Sequence, residues 1–284
     1  MALDSTRRWS SGAGAISGAA APPATHRGAG FAQKFGESER PDAWWFKPLL
    51  QAAGLVLLIG YANYAAILGA AHYHYVAQGR DYLSPFYSPY FHPAWLPGWL
   101  SPALLILIFP LGFRTTCYYY RKAYYRSFFA DPMGCAVGEL KSGGYRGETR
   151  FPFILQNMHR YFLYAALVFL IFLWIDVFKA CIFANPDGSH AFGVGGGSLA
   201  ILASTTMLTL YTFSCHSIRH LVGGRLDCFS CVVAGGPRLK TLSFVSVLNE
   251  HHMAWAWWSL FAVCFADFYV RMCSMGVFQD PRFF

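Results

Sequence analysis

Long stretches of this chain carry no Asp, Glu, Lys or Arg. None occurs between Lys47 and Arg80, none from Tyr82 to Phe113, and none from Gly188 to Ile218. Each window exceeds the roughly 20 residues a helix needs to cross the hydrocarbon core of a bilayer. Two further apolar stretches run through Tyr161–Ile175 and His251–Ala266, with isolated ionisable groups at Arg160, Asp176, Glu250 and Asp267. The pattern predicts helices over about 48–73, 98–128, 152–181, 192–222 and 242–274. Pro97 and Pro152 fall near helix starts, where proline is tolerated. Pro110 lies inside the second helix and is expected to kink it. Residues 1–42 are rich in Ala, Gly and Ser, carry mixed charge and contain no apolar run. They read as a flexible cytoplasmic N-terminal tail, which leaves 43–284 as a five-helix transmembrane domain. The expected fold class is therefore all-α, a polytopic membrane helix bundle with five transmembrane helices.

Composition supports this reading. Of 284 residues, 55% are hydrophobic and 13% charged, against about 25% charged in a typical soluble domain. The net charge of +8 would suggest nucleic acid in a soluble protein, but here it reflects Lys and Arg gathered in loops. The 121–150 connection holds Arg121, Lys122, Arg126, Lys141, Arg146 and Arg150. The 219–240 connection holds Arg219, Arg225, Arg238 and Lys240, while the opposite loops hold Arg80 and Lys179. This asymmetry predicts a multi-pass protein of the cell membrane with its N-terminus and both basic loops cytoplasmic and its C-terminus outside. The 74–99 connection is rich in aromatic residues and proline (Tyr82, Phe86, Tyr87, Tyr90, Phe91, Trp95, Trp99) and suits a lid at the outer interface.

Candidate chemistry appears as a repeat. The second and third helices form one hairpin, and the fourth and fifth form another. The outgoing helices read Thr116-Cys117-x-x-x-Arg121 and Ser214-Cys215-x-x-x-Arg219; the returning helices read Leu155-x-x-x-His159 and Leu248-x-x-x-His252. Parallel repeats about an axis along the membrane normal are a known membrane architecture. At 1.5 Å per residue, Cys215 and His159 lie roughly 10 Å inside their helices, a depth at which polar groups are costly and functional. Cys117, His159, Cys215 and His252, with His216 and His220 as alternates, thus form a candidate metal centre. Two Cys and two His suit structural zinc or a Rieske-type [2Fe–2S] cluster, and facing His side chains suit haem b. In a Rieske-type cluster, a two-fold running through both irons would put Cys117 and Cys215 on one iron and His159 and His252 on the other. A histidine-box di-iron centre has too few His. Cys135, Cys181, Cys264 and Cys273 read as packing or loop residues. Cys228 and Cys231 form a lone CxxC, a poor zinc site. Gly193, Gly195, Gly196 and Gly197 keep a transporter open as a different class of function, although tight packing explains small residues equally well. With neither a dinucleotide fingerprint nor a P-loop, the chain does not itself bind flavin.

The strings Thr115–Arg126, Gly147-Glu148-Thr149-Arg150-Phe151-Pro152, Leu155–Tyr161, Ser214–His220 and Asp280-Pro281-Arg282-Phe283 resemble the membrane-anchor subunit of actinobacterial-type succinate dehydrogenase, over roughly residues 45–284. The resemblance implies a role in respiratory complex II: docking the flavoprotein and iron–sulphur subunits, and passing electrons to quinone through an embedded centre. It also implies a Rieske-type [2Fe–2S] cluster in preference to haem b; a haem b-binding anchor of a related fumarate reductase is the alternative. Arg160, His216, His220 and Tyr120 lie at the level expected for quinone binding. The expected partners are the two soluble subunits, quinone and membrane lipid, with no nucleic acid and with scope for a higher oligomer of the complex.

Overall fold

A computed structural model describes residues 34–69, 71–139, 149, 151, 153–224 and 226–284. Lys141, Arg146, Arg150 and Arg225 of the basic connections, and residues 1–33 of the tail, lie outside the described residues. The described α-helices are α1 (Phe46–Ile67), α2 (Pro102–Thr115), α3 (Tyr118–Phe129), α4 (His159–Ala180), α5 (Gly196–Phe213), α6 (His216–Gly223), α7 (Gly235–Glu250) and α8 (His252–Ser274). A 3-10 turn, Phe153–Met158, leads into α4. Three helical stretches are long and apolar enough to cross a membrane alone: Phe46–Ile67, Phe153–Ala180 and His252–Ser274. Counting each bent pair, α2 with α3 and α5 with α6, as one span gives five.

The second and fourth predicted helices are not continuous. α3 turns away from α2 by 80° and α6 from α5 by 54°. The first break falls at Cys117, not at Pro110, which sits within α2. The fifth predicted helix is also divided, at His251, and its first part begins earlier, at Gly235.

At one end of the bundle, two antiparallel hairpins cover the helices: β1 (His74–Ala77) with β2 (Arg80–Leu83), and β3 (Ile182–Ala184) with β4 (His190–Phe192). The β1–β2 turn is made by Gln78 and Gly79, both at positive φ, the backbone twist that two-residue hairpins favour. A Cβ at Gly79 would lie 1.9 Å from the Ala184 carbonyl oxygen; the turn packs directly on β3. The aromatic lid is therefore split. Tyr82, Phe86 and Tyr87 are core, whereas Tyr90, Phe91, Trp95 and Trp99 are exposed. An aromatic run in a sequence does not distinguish these two uses.

Buried charges fasten this end. Asp267 of α8 pairs with Arg271 at 2.8 Å and accepts hydrogen bonds from Tyr61 and Ser84. Arg271 also donates to the carbonyls of Ala65, Gly69 and Ala71, tying the end of α1 to α8. Asp280 of the C-terminal segment pairs with Arg80 at 3.1 Å. It accepts from Tyr82, Tyr269 and the Gly197 N–H, so it caps α5 from a distant point in the chain. At the opposite end, residues 36–39 pair with 136–138 through Gly36, Glu37 and Glu39. Both sides of the expected boundary at 42 are thus part of the described structure.

Candidate metal centre and adjoining cavity

The two helix breaks share one local feature. Serine and threonine hydroxyls that bond back to carbonyls three or four residues earlier bend and end helices. Thr116 donates to the Gly112 carbonyl at 2.6 Å and Ser214 to the Tyr211 carbonyl at 2.9 Å. The next residue is extended in both cases: Cys117 at φ −66°, ψ 130° and Cys215 at φ −64°, ψ 140°. Each cysteine is the cap of the helix that follows, and Cys215 Sγ accepts from the Ser217 N–H. The cysteines therefore occupy the breaks themselves, not the helix interiors expected from the sequence.

The structure brings the four candidate ligands together as two crossed pairs. His159 Nε2 is 3.0 Å from Cys215 Sγ, and His252 Nε2 is 3.4 Å from Cys117 Sγ. Each histidine reaches the cysteine of the other hairpin. Its second nitrogen meets the hydroxyl of its own hairpin: His159 Nδ1 lies 2.9 Å from Thr116 Oγ1, and His252 Nδ1 lies 2.6 Å from Ser214 Oγ. Both hydroxyls already spend their proton on a backbone carbonyl, so they accept from Nδ1–H. The network therefore assigns the Nδ1–H tautomer to both rings and leaves each Nε2 lone pair facing sulphur, the arrangement that a metal-binding imidazole needs. Aromatic residues complete the symmetry. Phe113 stacks on His159 with centroids 4.7 Å apart, Tyr211 stacks on His252 at 5.1 Å, and Phe113 and Tyr211 meet at 5.3 Å. Cys117, Cys215 and His252 are essentially inaccessible.

Among the described residues, no three His, Cys, Asp or Glu side chains converge as a single metal ion would require. The pairing is one sulphur with one imidazole, repeated. The pseudo-two-fold relates one mixed pair to the other. His216 and His220 are exposed, 6.2 Å apart between ring centroids, and belong to neither pair.

Beside the pairs lies an apolar cavity of about 860 Å³ between α1, α2, α4, α5 and α8. Of the residues expected to bind quinone, Tyr120 lines it; Arg160, His216 and His220 do not. Arg160 instead lies 3.3 Å from His220 Nδ1 on an exposed face. Tyr120 donates to the Ala256 carbonyl and accepts from Arg114 at 2.7 Å. Arg114 also lines the cavity and was not among the expected residues, since an Arg ending a charge-free window looks like a loop marker. Phe113 and Tyr211 were missed as well. Their signal is an aromatic residue four positions before each cysteine, an upstream extension of the repeat.

Residues 46–276 match a family model described as actinobacterial succinate dehydrogenase subunit SdhC. The chain belongs to this family. It is thus a membrane subunit of a succinate dehydrogenase complex, consistent with the five-span bundle. A chain of the solved Mycobacterium smegmatis Sdh1 complex in the apo form is similar to it at 41% identity, over 87% of this chain and 94% of that one, with a TM-score of 0.75. No curated protein matches the chain.

Proposed function

We propose that this SdhC-family chain docks the flavoprotein and iron–sulphur subunits of complex II and passes their electrons to quinone through a [2Fe–2S] centre held by Cys117, Cys215, His159 and His252. The carrying observation is the pair of crossed Cys–His contacts, each with an imidazole whose second nitrogen is held by a hydroxyl. A binuclear cluster takes two protein ligands per iron, the rest being bridging sulphide. The two Cys–His pairs would together supply the four protein ligands of such a cluster, where a single zinc would need all four around one point. Bis-His haem would use the two imidazoles and leave the paired cysteines without a role. When bound, the cluster supplies one-electron transfer, with a higher potential than an all-cysteine cluster because neutral imidazole replaces thiolate.

The chain's own residues do the rest. Thr116 and Ser214 hold the tautomer, Phe113 and Tyr211 pin the ring planes, and burial excludes water. The apolar cavity offers a lipid-soluble acceptor a slot beside the centre. The basic end is the cytoplasmic, docking face on this reading, with Lys122 exposed on α3. Arg126, on the same helix, is paired with Glu139 at 2.8 Å.

The test uses the purified complex. Cys117→Ser combined with Cys215→Ser should abolish the centre's electron paramagnetic resonance signal and quinone reduction. Succinate oxidation by a water-soluble dye at the partner subunits should persist. Retention of the signal and of full quinone reductase activity would overturn the assignment.

A further inference from the structure

One cysteine pair stands apart from the centre. Among the described residues Cys228 and Cys231 form the only disulfide; the other six cysteines are free. The bridge joins positions three apart, with Cα atoms 5.4 Å from each other, in the connection between α6 and α7. Cys231 is exposed and Cys228 half-buried.

This bridge is poorly suited to be a staple. A disulfide stabilises a fold chiefly through the loop it closes, and this loop is minimal. The tip is already fastened without it. Arg238 of α7 donates twice to the Val222 carbonyl of α6, at 3.1 and 2.8 Å. The Phe229 carbonyl oxygen, inside the bridged turn, lies against Gly235, where a Cβ would be 1.6 Å from it. That seat keeps the two sulphurs near each other whether or not they are bonded. The connection is on the basic side of the bundle, which the functional reading places in the cytoplasm. There disulfides are transient, and exposed ones are the labile class. A further contact favours opening. Neither bridged sulphur carries a proton, so the Ser230 hydroxyl, 3.3 Å from Cys228 Sγ, is the donor. A donor at that sulphur stabilises the thiolate formed when the bond breaks.

We propose that Cys228 and Cys231 form a reversible thiol–disulfide exchange site for cytoplasmic dithiols, with Cys231 as the sulphur attacked and Cys228 as the leaving group. A thiolate of the incoming dithiol attacks Cys231 Sγ, the bond to Cys228 breaks, and Cys228 departs as thiolate. The second thiolate of the dithiol then attacks its own sulphur in the mixed disulfide and releases Cys231. The two protons of the dithiol end on Cys228 and Cys231. The dithiol leaves as a disulfide, oxidised by two electrons, and the chain is reduced by two. The proposal rests on the orientation adopted in the functional reading and not on the assignment of the centre.

The test equilibrates the purified complex with mixtures of reduced and oxidised dithiothreitol, quenches it in acid, alkylates free thiols and reads the label on the peptide holding both cysteines. Both thiols should appear together, from about 10% to about 90% over roughly a hundredfold change in the reduced-to-oxidised ratio, as one intramolecular couple requires. A pair that stays bridged, or stays open, across all mixtures would overturn the proposal. With oxidised glutathione, Cys228→Ser should form its mixed disulfide at Cys231 about tenfold faster than Cys231→Ser forms one at Cys228, following access to the sulphur; equal or reversed rates would overturn the roles assigned. In acid-quenched cells the pair should be open in normal growth and bridged after exposure to the thiol oxidant diamide. A pair already bridged in normal growth would overturn the proposal. Neither the signal of the centre nor quinone reduction enters these readouts, so failure of the electron-transfer reading would be seen separately.

Discussion

A histidine side chain can bind metal through Nε2 when Nδ1 carries the ring proton, and that proton needs an acceptor. In this chain the acceptor is the residue immediately before each cysteine, Thr116 for His159 and Ser214 for His252. The same hydroxyls bond back to the Gly112 and Tyr211 carbonyls at the helix ends. One small side chain therefore meets both the backbone beside the break and the histidine that reaches it. Replacing both with alanine should weaken retention of the proposed centre about 10- to 100-fold, the usual effect of removing the hydrogen-bonded support of a ligand. The check is the chelator concentration that halves the spectroscopic signal of the complex. Thr116→Ser with Ser214 kept should behave like the unaltered protein, because it retains the hydroxyl; a loss equal to that of the alanine pair would refute the role assigned to the hydroxyls.

At the scale of elements, the breaks matter because they convert two spans into elbows. α3 and α6 leave the bundle axis by 80° and 54°, so a cysteine from each hairpin enters the protein interior at the start of a new helix. The elbow between α2 and α3 depends on close approach of α2 to α4. A Cβ at Gly112 would lie 2.3–2.6 Å from three atoms of the Phe162 ring. Gly112→Ala should force the two helices apart and destabilise the chain by about 1–3 kcal/mol, as overpacking does. Thermal unfolding of the complex measures this, and Phe162→Leu in the same chain should recover part of the loss. Hydropathy located the five spans but merged the elbows with them, because no proline, glycine or acidic residue falls between Phe113 and Arg121 or between Tyr211 and Arg219. Hydropathy reads polarity, and a bend between two helices leaves no trace in it.

At the scale of the whole molecule, the described segments nearest the two termini lie at opposite ends of the bundle. Residues 36–39 pair with 136–138 just beyond α3, whereas Arg282 bridges to Gly195 at the start of α5. Opposite ends require an odd number of crossings, in agreement with five. With the basic connections cytoplasmic, a reporter fused after Phe284 should be active only outside the cytoplasm. Activity inside would invert the orientation. The Asp280–Arg80 pair and the Asp280 contacts with Tyr82, Tyr269 and Gly197 hold the C-terminal segment against the β1–β2 hairpin and the start of α5. The strings Asp280-Pro281-Arg282-Phe283 and Gly193–Gly197 thereby acquire a shared structural role: small residues at the start of α5 admit the carboxylate and the Tyr82 ring.

The amino-acid order by itself determined that the chain spans a membrane several times, which end is basic, that two hairpins repeat, and which four side chains meet. These properties follow from hydropathy and from side-chain types at fixed spacing, quantities that are local along the chain. Tertiary structure decided which cysteine faces which histidine, since crossed pairing depends on how the two hairpins interlock. It also moved three of the four expected quinone residues, Arg160, His216 and His220, away from the cavity, and it placed Arg114 and Tyr211 on its wall. The direction in which a side chain points from a broken helix depends on the angle of the break, and that angle is set by the packing of helices distant in sequence.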